Sequence, residues 1–487
     1  VPTTATAERT PIEWLQFLMP LLNEQAKNTQ LFRDYYGGKH RLSYATAKFR
    51  EAFRDYFPPM ADNWCQVVVD ASVERLGIQG FRFGGLDQPA DEEAWHVFQA
   101  NNLDRESRVL HTEAIKCGVA FLLVDPNFEP TRITVEHPNE VYVYRDPATR
   151  ERLAAVKRWK GDDGHAYATL YLPDRVYKFK SRGRIRTLGG RPSWEAFEDL
   201  PEGLPNTYGV VPMIPVENNP DMLLGGMSDL EVIIPIQDRV NKLCLDMDVN
   251  SEFYAAPQRW ATGWELPRDA NGNPLPLTNA SEVAAAQSRF LAFDSPDTKV
   301  GQLSPGDPAT YVVPIEMYVQ HMAALSRTPP HYLLSKLANL SGDALKAAET
   351  GLVAKVTSKQ DDFSDPWEEA LGLATGHADE EDSEVIWRDP ESRTFGQLVD
   401  GAVKLHDSLH VPLEMSWEII GLSPQQIVRA KKLLGFSENA TEKEMQEELA
   451  KRAIAALPPP AAPNGSTPSR DAGGNNGPRR DAATQTA

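Results

Sequence analysis

The sequence predicts an α+β chain, with an antiparallel sheet set between two groups of helices. Three observations carry this. Apolar residues recur at helical spacing in four runs between Thr10 and Cys117. From Gly118 to Lys180 the period falls to two, in short runs divided by turn residues. Beyond Asp229 helical spacing returns, broken by a Pro-rich segment over 256–306 that leads into another helix.

Thr10-Pro11-Ile12-Glu13 reads as a helix start, with Thr as N-cap, Pro first and Glu third. Trp14, Leu15, Leu18, Leu21 and Leu22 form its stripe. Pro20 is expected to kink or stop it, and Gly37-Gly38 to end the segment. A second helix is expected over 63–76, then a strand at Gly77–Phe81. Helices follow over 91–101 and 105–117. Strands are expected at 121–124, 133–136, 141–144, 154–159, 168–172 and 176–179. The turns between them include Asp125-Pro126-Asn127, His137-Pro138-Asn139 and Gly161-Asp162-Asp163-Gly164. Short strands with brief turns indicate antiparallel pairing. Residues 181–225, rich in Gly and Pro, are expected to be irregular.

A helix over 229–255 carries Val240, Leu243, Met247 and Tyr254, bent near Pro235. Asn271-Gly272-Asn273-Pro274 reads as a tight turn and Phe290–Phe293 as a strand. Asp307-Pro308 opens a helix with Tyr311, Ile315, Tyr318 or Val319, Met322 and Leu325 on one face, stopped by Pro329-Pro330. Ser341 caps the next helix, where Asp343 suits the helix dipole and Leu345, Ala348, Leu352 and Val356 make the stripe. The acidic run Ala378–Asp382 reads as a solvated loop. Helices are expected over 394–409, 412–420, 423–434 and 441–456, the last two opened by capping boxes at Ser423 and Thr441. From Leu457 the composition falls to Pro, Ala, Gly, Ser, Asn and Arg, too poor in apolar residues to bury a core, and disorder is expected.

A chain of 487 residues has room for more than one domain. No apolar run approaches the ~20 residues of a membrane span. The stretch Cys117–Val124 reads as a buried strand. Val1-Pro2-Thr3-Thr4 shows no basic region followed by an apolar core, so no secretory signal is expected, and the absent initiator Met is read as processing or trimming. Cys65, Cys117 and Cys244 sit among apolar residues without C-x-x-C spacing and read as reduced core thiols of a cytosolic protein. The net charge of -19 and pI of about 5.1 argue against tight nucleic-acid binding, which needs cations to neutralise phosphates.

Catalytic signatures are sparse. No G-x-x-x-x-G-K-[ST] occurs, which speaks against a P-loop ATPase. Gly226-Met227-Ser228-Asp229-Leu230 lacks the second Gly of a nucleophile elbow, so its Gly and Ser read as a tight turn before a helix. His406 and His410 stand at i and i+4, a spacing that puts two zinc ligands on one helix face. Asp407 replaces the Glu of a zincin, however, and Val411-Pro412 ends the helix. Arg182-Gly183-Arg184-Ile185-Arg186 is the densest basic patch, able to touch phosphate or an acidic partner, or simply a solvated hairpin.

Several motifs stand in a fixed order: Tyr35-Tyr36-Gly37-Gly38-Lys39-His40, Asn63-Trp64-Cys65-Gln66-Val67-Val68-Val69-Asp70 and Arg75-Leu76-Gly77-Ile78-Gln79-Gly80-Phe81. Gly226-Met227-Ser228-Asp229-Leu230, Gln237-Asp238-Arg239-Val240-Asn241 and Ala256-Pro257-Gln258-Arg259 follow. Val300-Gly301-Gln302-Leu303 and Ser341-Gly342-Asp343-Ala344-Leu345-Lys346 close the series. Together they cover about residues 10 to 455, and the chain resembles the portal (head-to-tail connector) proteins of siphophages of Gram-positive, particularly actinobacterial, hosts.

The resemblance implies an elongated subunit. Residues 1–228 would form a wing of N-terminal helices and antiparallel sheet. Helices at 229–255 and 307–326 would form a two-helix stem around a small α/β clip at 256–306. Tunnel-facing elements would lie at 327–391, a helical crown at 392–456 and a disordered tail at 457–487. It further implies a homo-oligomeric ring of about twelve subunits at one capsid vertex, closed by heterologous contacts. Such a ring is a conduit for double-stranded DNA in packaging and ejection, and a largely acidic wall suits a channel that must not grip its cargo. The implied partners are the major capsid protein and scaffold, the terminase large subunit and head-completion (adaptor) proteins. No membrane, cofactor or catalytic residue is implied. The location would be the virion, after assembly in the host cytoplasm. Lys336, Lys346 and Lys355 are candidate lumen cations, and Arg259 and Arg268 candidate clip contacts to terminase or adaptor. The alternatives are a metal-dependent hydrolase using His406 and His410, or a non-portal phage structural protein.

Overall fold

The computed structural model describes residues 9–40, 62–85, 89–190, 192–197, 199–222, 225–255, 259–262, 271, 297, 299–302, 307–334, 342–378, 382–391, 395–436 and most of 444–452. The chain forms two compact units, Val1–Leu398 and Val399–Ala487.

The first unit opens with α1 (Pro11–Tyr36), where the Glu13 carboxylate accepts the Thr10 backbone N–H and hydroxyl, both at 2.8 Å. Of the two expected effects of Pro20, the stop does not occur: α1 runs through it. Pro20 lies on the exposed face, where water can satisfy the carbonyl it releases. The opposite face holds the helix by burying Trp14, Leu15, Leu18, Met19 and Leu22. Then come α2 (Trp64–Val73), β1 (Ile78–Arg82), α3 (Glu92–Ala100) and α4 (Leu103–Cys117). Asp91 caps α3 by accepting the Ala94 N–H at 2.7 Å.

Nine strands follow: β2 (Val119–Asp125), β3 (Arg132–Glu136), β4 (Val141–Arg145), β5 (Arg152–Lys160), β6 (His165–Tyr171), β7 (Arg175–Arg184), β8 (Trp194–Ala196), β9 (Leu204–Pro205) and β10 (Met213–Glu217). All their pairings are antiparallel, but they build two sheets. One has the order β10-β2-β3. The other runs β4-β5-β6-β7-β8, with β9 also paired to β7. β8, β9 and β10 lie in the span expected to be irregular. Met213, Ile214, Pro215 and Val216 of β10 are all buried, so the strand lacks the polar alternation that betrays a half-exposed one.

The period of two sorts the side chains into layers. Ala154, Val156, Ala168, Leu170 and Phe179 pack against the apolar face of α1. Val141 and Ala155, on the other face of the same sheet, meet Phe121, Leu123 and Met213 of the smaller sheet. The far face of that sheet, through Leu122, Val124, Ile214 and Val216, packs with Leu110 and Ala114 of α4 and with a long helix from the C-terminal half.

Past this core come α5 (Ile234–Ala255), β11 (Arg259–Thr262) and β12 (Lys299–Gln302), the two strands paired antiparallel. Pro235 falls in the first turn of α5, where a proline is tolerated. The Asp307 carboxylate accepts the Ala309 N–H at 2.9 Å and starts a 3₁₀ turn that continues into α6 (Val312–Ser326). α7 (Pro330–Leu333) precedes α8 (Gly342–Thr375), which carries Leu352, Val356, Phe363 and Trp367 into the core. β13 (Glu384–Trp387), unforeseen in the sequence, returns to pair with β1. The expected strand Phe290–Phe293, the Ser341 cap, the capping box from Thr441 and the tail from Leu457 lie outside the described residues, as does the turn Asn271–Pro274 beyond its first residue.

α9 (Phe395–Leu409) leads into the second unit, where α10 (Leu413–Ile419) packs on α11 (Pro424–Leu434). Lys431 and Glu414 pair at 2.5 Å between them. Ser423 and Gln426 form the expected capping box.

Candidate functional site

The densest polar chemistry of the first unit lies where α4, the start of α5, the end of α6 and α8 come together. Gly226 approaches the α4–β2 corner so closely that a Cβ there would stand 2.0 Å from the Gly118 carbonyl oxygen. Gly118 itself has φ +90°. The Met227 N–H donates to the Asn218 carbonyl at 2.7 Å, and the Ser228 hydroxyl to the Lys116 carbonyl at 2.6 Å. Gly226 and Ser228 thus build a turn. Leu230 fills the core.

Asp229 is the centre of the junction. Its Oδ1 accepts from Lys359 Nζ at 2.9 Å, Asn218 Nδ2 at 3.0 Å and Asn219 Nδ2 at 2.8 Å, and its Oδ2 pairs with Lys355 Nζ at 2.7 Å. The Lys355 ammonium also donates to the Ser326 carbonyl at 3.0 Å, at the end of α6, and the Lys359 ammonium to Asn218 Oδ1. The side chains of Lys359 and Asp229 are 1% and 4% exposed. Burial works to raise the Asp229 carboxyl, but the pull of Lys355 and Lys359 and the Asn218 hydrogen bond leave it well below the usual carboxylate range. Burial pushes the Lys359 ammonium down, opposed by Asp229. A buried carboxylate shared by two cations, one turn apart on α8, fixes that helix against the turn that starts α5.

A second network joins three of the co-linear motifs. Gln237 accepts the Trp64 N–H at 3.0 Å and donates to the Asp62 carbonyl at 2.7 Å. Asp238 accepts the Tyr35 hydroxyl at 2.7 Å, Asn241 Nδ2 lies 2.7 Å from His40 Nε2, and Asn63 donates to the Tyr36 carbonyl at 2.6 Å. Tyr35 and His40 stack with centroids 4.1 Å apart. Arg75 extends the tie by donating to Tyr332 and the Pro390 carbonyl and pairing with Glu349 at 3.2 Å. These motifs lock α1, α2 and α5 to one another.

Of the candidate lumen cations, Lys336 lies outside the described residues. Lys346 is exposed near the start of α8, and Lys355 is engaged with Asp229. Arg259 opens β11, and Arg268 lies outside the described residues. The histidine pair needs correction. α9 ends at Leu409 and His410 has φ +56°, so the two imidazoles do not share a helix face. His406 Nδ1 lies 2.9 Å from the Val411 carbonyl oxygen instead.

Among the described residues Glu113, Cys117 and His137 bring possible metal-ligand atoms within 4.8 Å of one another. The arrangement does not suit a metal. The Asn139 N–H donates to His137 Nδ1 at 2.9 Å, which puts the ring proton on Nε2, 3.1 Å from Glu113 Oε2. Lys116 takes the other Glu113 oxygen at 2.6 Å. Burial alone would raise this carboxyl, but His137 and Lys116 draw it down to about 2.

Sequence reasoning missed the Asp229–Lys355–Lys359 cluster. The signal was present: Lys359 falls on the apolar stripe Leu352, Val356, Phe363, Trp367, a position that demands a buried partner.

The family model of phage portal proteins of the SPP1 Gp6-like type matches residues 17–448. The portal protein of Mycobacterium phage D29 is 30% identical over 395 residues, covering 76% of this chain and 75% of its own. That of Mycobacterium phage L5 is 29% identical over 363 residues, covering 70% and 71%. Among solved structures, a chain of the virion of a native gene transfer agent particle aligns with TM-score 0.41 at 11% identity, over 73% of this chain and 88% of its own. A chain of the neck of the native particle, computed with C12 symmetry, gives TM-score 0.41 and 11% identity over 73% and 90%. The match to the family model over most of its length, with the two mycobacteriophage relatives, shows that the chain belongs to the SPP1 Gp6-like phage portal proteins.

Proposed function

We propose that the chain assembles into a ring of about twelve subunits at one vertex of the virion, and that the ring conducts double-stranded DNA in packaging and ejection. One observation carries the reading: α5 and α6 pack together, with Arg239 over the Tyr318 ring at 5.8 Å, and the segment joining them holds the antiparallel pair β11–β12. This is the order that a two-helix stem with a clip requires. A wing at 1–228, tunnel-facing elements at 327–391 and a crown at 392–456 complete the proposed subunit.

α6 supports ring closure. Val313, Met317, His321 and Leu325 recur every four residues on one exposed face, with Val313 72% and Leu325 60% exposed, so Leu325 leaves the face of buried Met322 on which the sequence puts it. A neighbouring subunit would cover this stripe. If each subunit gives one helix to the wall, twelve helices about 10 Å apart make a radius near 19 Å and a channel about 28 Å wide, enough for duplex DNA.

The work is mechanical, with no catalytic step. The ring would seed head assembly with capsid protein and scaffold, then dock the terminase large subunit and later the head-completion proteins, with Arg259 and Arg268 of the clip meeting one or both. Lys336 and Lys346 would meet passing phosphates. Lys355 would do so only by leaving Asp229. Negative-stain electron microscopy with mass photometry tests the reading. Rings with a central hole and about twelve subunits are expected, and a protein that stays monomeric at high concentration with scaffold added would overturn it.

A further inference from the structure

One stretch of this acidic protein is strongly basic. Between Lys157 and Arg191 the sequence carries ten lysines and arginines against three acidic residues, while the whole chain has a net charge of -19. The larger sheet arranges part of this charge. Phe179 and Ser181 of β7 point into the sheet's buried side, so Lys178, Lys180 and Arg182 occupy the alternate positions on its other face, about 7 Å apart. Arg184 follows at the end of the strand. Lys180 pairs with Asp163 at 3.0 Å, and Arg182 lies 3.6 Å from Glu195. Lys178 and Arg184 are exposed and have no acidic partner among the described residues.

Aromatic rings flank this row on the same face. Trp159 and Tyr167 are cross-strand partners stacked on one another, with centroids 5.8 Å apart and planes 16° apart, and the Lys180 ammonium stands 5.3 Å over the Tyr167 ring of this aromatic platform. Phe197 continues it, 6.2 Å from Tyr167. A trough of about 430 Å³ runs beside the platform, with Lys178 on its wall. Asp125, on the opposite wall, has its carboxylate engaged by the backbone and side-chain amides of Asn127.

We propose that this face binds nucleic acid through its backbone phosphates, outside the two-helix stem and independently of the conduit reading. The cations supply a sequence-independent phosphate contact. Three alternate positions cover about 14 Å, the length over which one strand of a duplex presents about four phosphates. An acidic protein surface would satisfy the cations equally well but would leave the platform without a use. The π-face of an unpaired base fits Trp159, the member of the pair that Lys180 does not cover. The same phosphate chemistry is offered by a duplex and by a single strand, and the experiment separates them.

The test is fluorescence anisotropy of a labelled single strand and of its duplex with the full chain, across about 50 to 200 mM salt. The parent and the variant Lys178→Gln/Arg182→Gln/Arg184→Gln are compared after circular dichroism shows the same fold. The variant should bind more weakly, and its log–log salt slope should fall by about 2 to 3 for the form that uses the row. Weakening of the single strand alone by Trp159→Leu would identify that form as the one seated on the platform. An equal loss on both forms would assign the face to the backbone shared by both. An unchanged salt slope in the triple variant would overturn the proposal. So would unchanged nucleic-acid binding with a loss of subunit association, which would assign the row to the acidic surface of a second copy of the chain.

Discussion

Replacing Asp229 with Asn leaves two ammonium groups, on Lys355 and Lys359, without their shared carboxylate. Lys355 is 11% exposed and can turn toward water, but Lys359 is 1% exposed and cannot. Removing one partner of a buried ion pair costs about 3–5 kcal/mol, because the survivor stays charged in a poor solvent. The whole unit is too large for a single unfolding free energy to be meaningful, so the loss is best read locally. Hydrogen exchange of the α8 amides around Lys359 should accelerate by at least about 10²-fold in Asp229→Asn, since 1.4 kcal/mol is a factor of ten. Adding Lys359→Met should restore most of the protection, because a flexible apolar chain of similar volume then fills the site. Exchange within a few-fold of the parent in Asp229→Asn would refute the reasoning, as would a double variant no better protected than the single. The pH dependence has a definite sign. The Asp229 carboxyl is depressed in the folded state, so its contribution is complete above about pH 3.9 and is lost only as pH falls through the folded value.

Three further outcomes are expected. Gly226→Ala should sharply lower the thermal midpoint or the soluble yield, because its Cβ would stand 2.0 Å from the Gly118 carbonyl oxygen and backbone must move. His111 is fully buried, accepts the Trp367 indole N–H at 3.0 Å, and is pushed by burial down to about 3. The unfolded chain takes up this proton below about pH 6.5, so stability should fall by up to ~1.4 kcal/mol per pH unit from there toward 3. Urea titrations at neutral and mildly acid pH should show this slope flattened in His111→Gln. Val313→Glu with Leu325→Glu places two charges on the exposed face of α6 and should abolish rings in mass photometry while leaving the circular dichroism of the subunit unchanged.

Local signals made much of the fold legible. Thr10-Pro11 with Glu13, Asp307-Pro308 and Ser423 with Gln426 each start a helix by chemistry contained in four residues. β2 was legible as one continuous apolar run, buried on both faces, and β3 to β7 as short apolar runs divided by turn residues. Pro20 does not stop α1 because a proline on an exposed helical face costs one hydrogen bond that water replaces, whereas the buried face opposite is worth far more. β10 escaped because it is buried throughout and also broken by Pro215 in a Pro-rich span, which reads against a strand. β13 escaped because four residues after an acidic run carry no period, and only pairing with β1, about 300 residues away in sequence, makes it a strand.

The junction is another matter. Asp229 and Lys359 are separated by 130 residues, and no local pattern joins them. What the sequence does show is the misfit of each: an Asp beside buried Leu230, and a Lys on an apolar stripe. The co-linear motifs turn out to be paired across the fold, Tyr35 with Asp238, His40 with Asn241 and Trp64 with Gln237. That accounts for their residue types without any catalytic role. His406 and His410 have a spacing that suits a metal, but the helix stops between them, one residue before the end that Val411-Pro412 marks in the sequence.

In the proposed ring, α5, the clip and α6 form the wall of an axial channel. An electron cryomicroscopy reconstruction of the assembled protein, at a resolution that separates helices, tests it most directly. The account predicts about twelve copies of the α5–α6 pair around a channel about 28 Å wide, with the Val313–Leu325 face of α6 against the next subunit. A ring with that pair on its outer surface, or an assembly with no axial channel, would contradict it.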